Sequence, residues 1–457
     1  MSAIVDEPMQ DGGEASRADL RTRRALRGSM VEGMCHALML GWSESYLGAF
    51  AVAQGHGPLA LALLSTLPLV VGASLQLGAS ALVHALGHRR HVIVLGATLQ
   101  ALSQLGFIAI AVVDDRRLWP LLTVKCVFWG SGALIAPAWG AQMASLTQWV
   151  RRQRYFAIRS GMAEVALLLA FAAGGVWLHH AQGAQARERF AWMFAAALLA
   201  RAVSAVLLAW QYDPDRRGRD SRPPSLANFL VAARASRWRI SIYIGAMMFG
   251  ASIAIPFFTP HMLGNLGLGF DEYAMLLSAS ILAKALSFPL CHRIAAAIGL
   301  RRLLIVSGIG VAILPLLWIP FDTVGPLLGA QLLGGVVWAG LEYASFQLLL
   351  GSAAEHHRLE FLSLSGALGS LLQLAGALCG SWLLATGLLD YAMVFLVSAV
   401  LRAAALGVLL VVIRPLDLAV ALPRLILRIS GVRPTGGSIR GAIIDEDRAP
   451  PERPPEP

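Results

Sequence analysis

Two acids and two lysines, Glu44, Lys125, Lys284 and Glu342, sit deep inside long apolar runs. A charge at mid-bilayer costs about 2.5–3.5 kcal/mol on insertion scales, so each needs a partner, a wet cavity or a route to snorkel. A carboxylate held beside an ammonium can switch its protonation state, because desolvation and the neighbouring charge act on it in opposite directions. Proton-coupled devices need an acid so placed, and a static pair that locks helix register uses the same residue types. Lys125 and Lys284 are the only lysines; every other Lys/Arg position is arginine.

The elements that carry these charges are readable from composition. The chain of 457 residues is 57% hydrophobic and 14% charged, with a mean hydropathy of +0.64. That is too little charge to keep a soluble surface solvated. The apolar runs reach the ~20 residues that cross about 30 Å of hydrocarbon. Twelve spans are expected, at about Gly28–Val52, Gly57–Leu86, His91–Val113, Leu118–Met143, Ser160–His180, Phe190–Trp210, Ile240–Leu263, Glu272–Ile298, Leu303–Pro320, Gly325–Ser352, Leu359–Thr386 and Tyr391–Ile413.

The net charge of +10 collects in the short connections, which in membrane proteins marks the cytoplasmic side and not a nucleic-acid surface. Arg21, Arg23, Arg24 and Arg27 precede span one, Arg89 and Arg90 follow span two, and Arg151, Arg152, Arg154 and Arg159 surround the four–five connection. Both termini are therefore expected inside. Residues 1–27 read as a disordered tail, 28–211 and 240–413 as two bundles of six, 212–239 as an Arg- and Pro-rich cytoplasmic linker, and 414–457 as a tail with an interfacial helix or a sticky disordered segment at 415–430. The 5–6 connection, with Arg187 and Arg189, is a mild exception offset by Glu188. The polar first residues and the long first run do not form a cleavable leader. Cys35, Cys126, Cys291 and Cys379 lie within spans without paired spacing and read as packing residues.

The two bundles are copies. Phe156, Ser160, Gly161, Gly175, Trp177 and Leu178 return 205 positions later as Phe361, Ser365, Gly366, Gly380, Trp382 and Leu383. Gly87-His88-Arg89-Arg90 returns as Gly299-Leu300-Arg301-Arg302, and Phe194 with Arg201 as Phe395 with Arg402. Halves with an even number of spans insert the same way round, about an axis along the membrane normal.

Two six-span halves, a basic central loop and the Gly-x-Arg-Arg turns resemble the major facilitator superfamily over about Arg21–Ile413. Leu40-Gly41-Trp42-Ser43-Glu44-Ser45-Tyr46 and Arg154-Tyr155-Phe156-Ala157-Ile158-Arg159 are similar to motifs of a bacterial branch of that superfamily. The family loop motif, Gly-x3-Asp-Arg-x-Gly-x-Arg-Arg, is incomplete: His84 and Ala85 replace its Asp-Arg, and Ala296 and Ala297 do so in the second copy. Lys125, Gly130 and Gly132 approximate the fourth-helix pattern one residue out of register, and the glycines Gly161, Gly174 and Gly175 lack the antiporter proline.

The resemblance implies an all-α polytopic membrane protein, a secondary transporter that moves a small solute by alternating access, with spans one, four, seven and ten around a central cavity. Proton coupling through Glu44 is expected. Glu44 and Lys125 lie at similar depth and are expected to form one substrate or proton site; Lys284 and Glu342 form a second pair. Trp42, Tyr46, Trp129, Trp338 and Tyr343 are aromatics that could contact the solute. Arg201, Arg402 and Glu164 are read as structural charges, the arginines bonding carbonyls or acids such as Glu164. Glu32, a turn from the membrane edge, is read as solvated or paired with a loop cation. The implied setting is the bacterial cytoplasmic membrane, with lipid, a small-molecule substrate and protons as partners, in a monomer without nucleic acid.

A drug or metabolite efflux antiporter is the nearest alternative, and a non-transporting assembly or sensor protein with the same fold the next. With no G-x-x-x-x-G-K-[ST], a chain-encoded ATP drive is disfavoured, and with no HExxH, no His-box clusters and no paired carboxylates in one span, so is an enzyme. No cofactor or metal is expected; His179-His180 has no third ligand nearby.

Overall fold

In hydrocarbon every backbone N–H and C=O must be satisfied within the chain, so long apolar runs become helices. The computed structural model describes residues 13–147, 152–179, 181, 183–213, 238–352, 358–387 and 389–412. All regular structure among them is helical, and it forms the twelve spans. Span one is Gly13–Trp42 followed by Glu44–Ala53. Spans two to six are Pro58–Leu86, Arg89–Val113, Leu118–Leu146, Arg152–Leu178 and Gly183–Trp210. Span seven is Trp238–Ala254, continued by single turns to Asn265; span eight is Phe270–Ile298. Span nine is Leu300–Ile313 with a 3-10 extension to Trp318, and spans ten to twelve are Val324–Ser352, Arg358–Ala385 and Tyr391–Val412. Ten are long and apolar enough to cross a membrane by themselves; the exceptions are span one, which is broken, and span twelve, whose apolar stretch is Tyr391–Gly407.

Four boundaries differ from expectation, and one is the start of span six, at Gly183 and not Phe190, which puts Arg187, Glu188 and Arg189 on its first turns. The first helix begins at Gly13, so residues 13–27 are not a disordered tail. Leu26 is fully buried there, and the Tyr155 hydroxyl donates to its carbonyl at 3.0 Å, so the pre-membrane arginines ride on a helix anchored to span five. Span five begins at Arg152, not Ser160, because Tyr155, Phe156 and Ala157 are buried and carry the helix past the bilayer edge. Span one is interrupted at Ser43 (φ −108°, ψ −72°), which makes Glu44 the first residue of a new helix. In the linker only Tyr212 and Asp213, at its start, and the helix beginning at Trp238 are described. Asp213 pairs with Arg89 at 2.7 Å. The rest of the linker, the 415–430 segment and the C-terminal tail lie outside the described residues.

The repeat is visible in the packing. Span one rests on five and six, span two on four, and span three on four and six; seven rests on eleven and twelve, eight on ten, and nine on ten and twelve. Between the halves, span five packs on eight and span two on eleven, again an equivalent pair. Gly87 and Gly299 both take positive φ (76° and 88°), the geometry that glycine tolerates without a Cβ penalty, and so the Gly-x-Arg-Arg turn keeps its glycine twice. At the face opposite the termini, Arg187 pairs with Asp114 at 3.3 Å and Arg189 donates to the Trp177 carbonyl at 2.7 Å. Partners outside Glu188 thus hold the arginines of the exceptional 5–6 connection.

Small residues set how closely the helices approach. A Cβ on Gly376 of span eleven would strike the Phe249 carbonyl and come within 3.2 Å of Ser252 in span seven, whereas Gly369 on the same helix has nothing within 4 Å. Alanine should therefore act with opposite sign at the two sites. Gly369→Ala is expected to raise stability by up to about 1 kcal/mol through helix propensity, and Gly376→Ala to lower it by roughly 1–3 kcal/mol through overpacking. Thermal midpoints of the purified variants check this; equal shifts would contradict the described seven–eleven contact.

Candidate functional site

Glu32, His36 and Leu40 recur every fourth residue, so they share one face of span one. On span four, Trp129, Gly132, Ala133 and Ala136 do the same. These faces meet around a cavity of 420 Å³, lined also by Gln76, Gln100, Trp139, Arg159, Arg201 and Ser370. The wall therefore comes from spans one to six and, through Ser370, from span eleven of the other half.

A charge network forms one side of this cavity. Arg159 donates to Glu32 at 2.8 Å, and Arg201 lies 3.7 Å from the second oxygen of the same carboxylate. Ser204 joins them, accepting from Arg201 at 2.7 Å and donating to Glu32 at 3.0 Å. The Arg159 guanidinium also stacks 4.4 Å over Trp139 and donates to the Ser29 carbonyl. Glu32 is 4% exposed and Arg201 2%. Glu32 is thus buried and not solvated; it is paired, as the second expectation has it, with a cation of the four–five connection, Arg159, and Arg201 is paired with it, not with Glu164. The sequence signal for Glu32 is its fourfold spacing to His36.

The two expected pairs form. Lys125 donates to Glu44, and its ammonium sits 5.7 Å over Trp129. Glu44 follows Leu40, and Lys125 precedes Trp129, by about one helical turn, so this pair stands at the end of the cavity away from the termini. Lys284 lies 2.9 Å from Glu342 and also 2.9 Å from Glu164. Glu164 belongs to the first half, so a triad of two carboxylates and one ammonium joins the halves, where a partnership of Glu164 with the arginines was expected.

Arg402 solves the same problem without an acid. It is 1% exposed and donates to the Val311 carbonyl at 2.9 Å and the Ala251 carbonyl at 3.4 Å. Pro315 has no N–H to give Val311, four residues earlier, and the guanidinium supplies the missing donor.

The candidate aromatics separate. Trp129 lines the cavity. The Tyr46 hydroxyl donates to the Phe171 carbonyl and its ring stacks on Phe171 at 5.3 Å. Tyr343 is 3% exposed and donates to the Gln153 carbonyl at 2.9 Å, across the halves. Trp42 and Trp338 are half-buried beside the cores of their own halves. Trp139, Phe156 and Phe346 form an aromatic cluster, with Phe346 4.9 Å from Phe156 and 6.2 Å from Trp139. Together with Leu26, Tyr155 and Leu350 it closes the halves at the face of the termini, below the cavity. Among the described residues no group of histidine, cysteine, aspartate and glutamate is arranged to hold a metal.

Glu32 is the single carboxylate between two guanidiniums, the partly buried Arg159 and the buried Arg201. Glu32→Gln should cost roughly 3 kcal/mol by leaving Arg201 uncompensated. Adding Arg201→Gln should recover part of that loss, a coupling that a double-mutant cycle on thermal stability reads directly; strictly additive losses would refute the ion network.

The family sequence model described as Major Facilitator Superfamily matches residues 33–258 and 240–425. No curated protein matches the chain. Among solved structures the chain is similar to the human organic anion transporter MFSD10 (TETRAN), at 16% identity, 85% of this chain, 99% of that one and a TM-score of 0.68. It is also similar to the proton:xylose symporter XylE, at 15% identity, 86% and 95% coverage and a TM-score of 0.65. The E. coli fucose:proton symporter FucP is similar at 11% identity, 85% and 98% coverage and the same TM-score. At these identities the likeness concerns the fold, whereas the family match runs through both halves of the sequence: the chain belongs to the Major Facilitator Superfamily.

Proposed function

We propose that this chain is a secondary transporter that moves a small solute by alternating access, coupled to protons, from a bacterial cytoplasmic membrane in which the Arg-rich face is cytoplasmic. The observation that carries this reading is where the halves are tied. Polar bonds that join them include Tyr343 to Gln153, Ser370 to Gln76 and Lys284 to Glu164, at the termini face or at mid-depth. Side-chain ties across a helix seam can break and re-form as the halves rock, which suits a device that opens its two sides in turn.

The Lys284 triad supplies a proton-sensitive tie. With both carboxylates ionised it carries a net charge of −1. Protonating one of the two carboxylates neutralises the triad, and a proton on Glu164 would remove the ion pair that crosses the halves while leaving Lys284 on Glu342. The solved neighbours named as proton symporters support coupling to protons, although their named solutes, xylose and fucose, differ from the organic anion of another neighbour. The Glu44–Lys125 pair at the far end of the cavity is a second proton site in this scheme.

Alternating access is measurable without knowing the solute. Spin labels at Arg90→Cys and Arg302→Cys report the termini face, and labels at Gly57→Cys and Asn265→Cys the opposite face, after the four native cysteines are replaced. The Glu164→Gln substitution should lengthen the first distance and shorten the second. Distances that stay fixed on both faces, in the wild type from pH 5 to 8 and in the variant, would rule out rocking halves. Exchange of solute driven by a pH gradient should lose its pH dependence in Glu44→Gln; an unaltered profile would remove Glu44 from the proton path.

A further inference from the structure

We infer that the exposed face of the helix leading into span one binds the headgroups of anionic phospholipids, in the leaflet at the face of the termini. The helix runs without a break from Gly13 to Trp42, so the residues before the membrane keep the rotation of span one. Leu20, Arg24, Arg27 and Val31 follow one another in steps of four, three and four, share one face and are all exposed. Arg21, also exposed, flanks that face. Residues 20–31 hold four arginines and no acid. The other side carries Ala25, Leu26 and Met30, buried in one core cluster with Tyr155, Phe156 and Leu350. The basic row is therefore fixed to the seal between the halves and is not a loose tail.

Depth separates a headgroup site from a merely solvated face. Ser204 of span six donates to Glu32 of span one at 3.0 Å, which puts the two residues at one level. Toward the termini from that level, Arg27 is five residues away and Trp210 six, or about 8 and 9 Å along their helices. Trp210 is 80% exposed at the end of its span, and exposed tryptophans mark the layer where hydrocarbon meets headgroups. Arg27 lies at that layer too. Arg24 follows about one turn beyond, and an arginine stem can turn back toward the membrane. Val31 continues the same face in the other direction as apolar surface, 43% exposed, against which acyl chains can lie. Guanidiniums at headgroup depth beside an apolar strip match a lipid with a net negative headgroup. A zwitterionic headgroup brings its own cation to the same arginines and fits less well.

The test uses the purified full chain in a neutral detergent. Thermal midpoints are measured with added phosphatidylglycerol, with phosphatidylcholine of the same chain length, and with inorganic phosphate. Because one side of the helix belongs to the core, lipid bound to its other side stabilises the folded chain by mass action. Phosphatidylglycerol should raise the midpoint more than either comparator. Replacing both Arg24→Gln and Arg27→Gln should weaken its apparent affinity about 25-fold, or fivefold per arginine. The charge-retaining pair Arg24→Lys and Arg27→Lys should keep most of the shift. So should Arg90→Gln with Arg302→Gln, which removes two exposed arginines of the Gly-x-Arg-Arg turns at the same membrane face. The inference is overturned if phosphatidylcholine or inorganic phosphate matches phosphatidylglycerol, or if the helix glutamine pair keeps the full shift. It is equally overturned if the lysine pair or the turn pair loses as much as the helix glutamine pair, the latter marking a diffuse basic face. Binding here needs neither solute nor gradient, so its failure leaves the transporter reading standing.

Discussion

Several ionised side chains stand in a region where each costs kilocalories unless it is held, and the arrangement of helices follows from where their partners are. Glu32 needs spans five and six beside span one, because its two guanidiniums come from Arg159 and Arg201. Glu44 needs span four, because its ammonium is Lys125. Lys284 needs a helix of each half, because one of its carboxylates lies in span five and the other in span ten. The apolar seams bring helices together without preference for one rotation about their axes; the charges choose among rotations.

The two halves share a frame and differ in chemistry. The packing order, the Gly-x-Arg-Arg turns and the positions of Arg201 and Arg402 are common to both. Yet the equivalent arginines have unlike partners. In span nine, Pro315 releases a carbonyl that Arg402 takes up; span three has no proline, and Arg201 turns to Glu32 instead. One guanidinium is thereby spent on the backbone. The other remains beside the cavity, paired with Glu32.

Much of the frame was legible in the chain. Runs of about twenty apolar residues have one stable form in hydrocarbon, so most span ends fell within a few residues of the observed ones. The depth argument for Glu44 and Lys125 works because rise per residue converts position into depth; Lys284 and Glu342 differ in depth, and their pairing follows from the expected neighbourhood of spans eight and ten, with the lysine stem covering the difference. Basic residues at a membrane edge look alike whether helical or not, so the sequence does not distinguish the helical Arg152–Arg159 and the helical residues before Gly28 from loop and tail.

The sequence by itself determined the number and direction of the helices, their twofold repetition and the basic character of one face, because these depend on the length and polarity of local segments. Only the tertiary structure decided that Glu164 belongs to Lys284, that Arg402 serves a proline-freed carbonyl, and that Tyr46 and Tyr343 spend their hydroxyls on neighbouring helices. Those outcomes depend on which azimuth each helix turns to its neighbours, and in a helix apolar on nearly all sides no residue pattern records that angle.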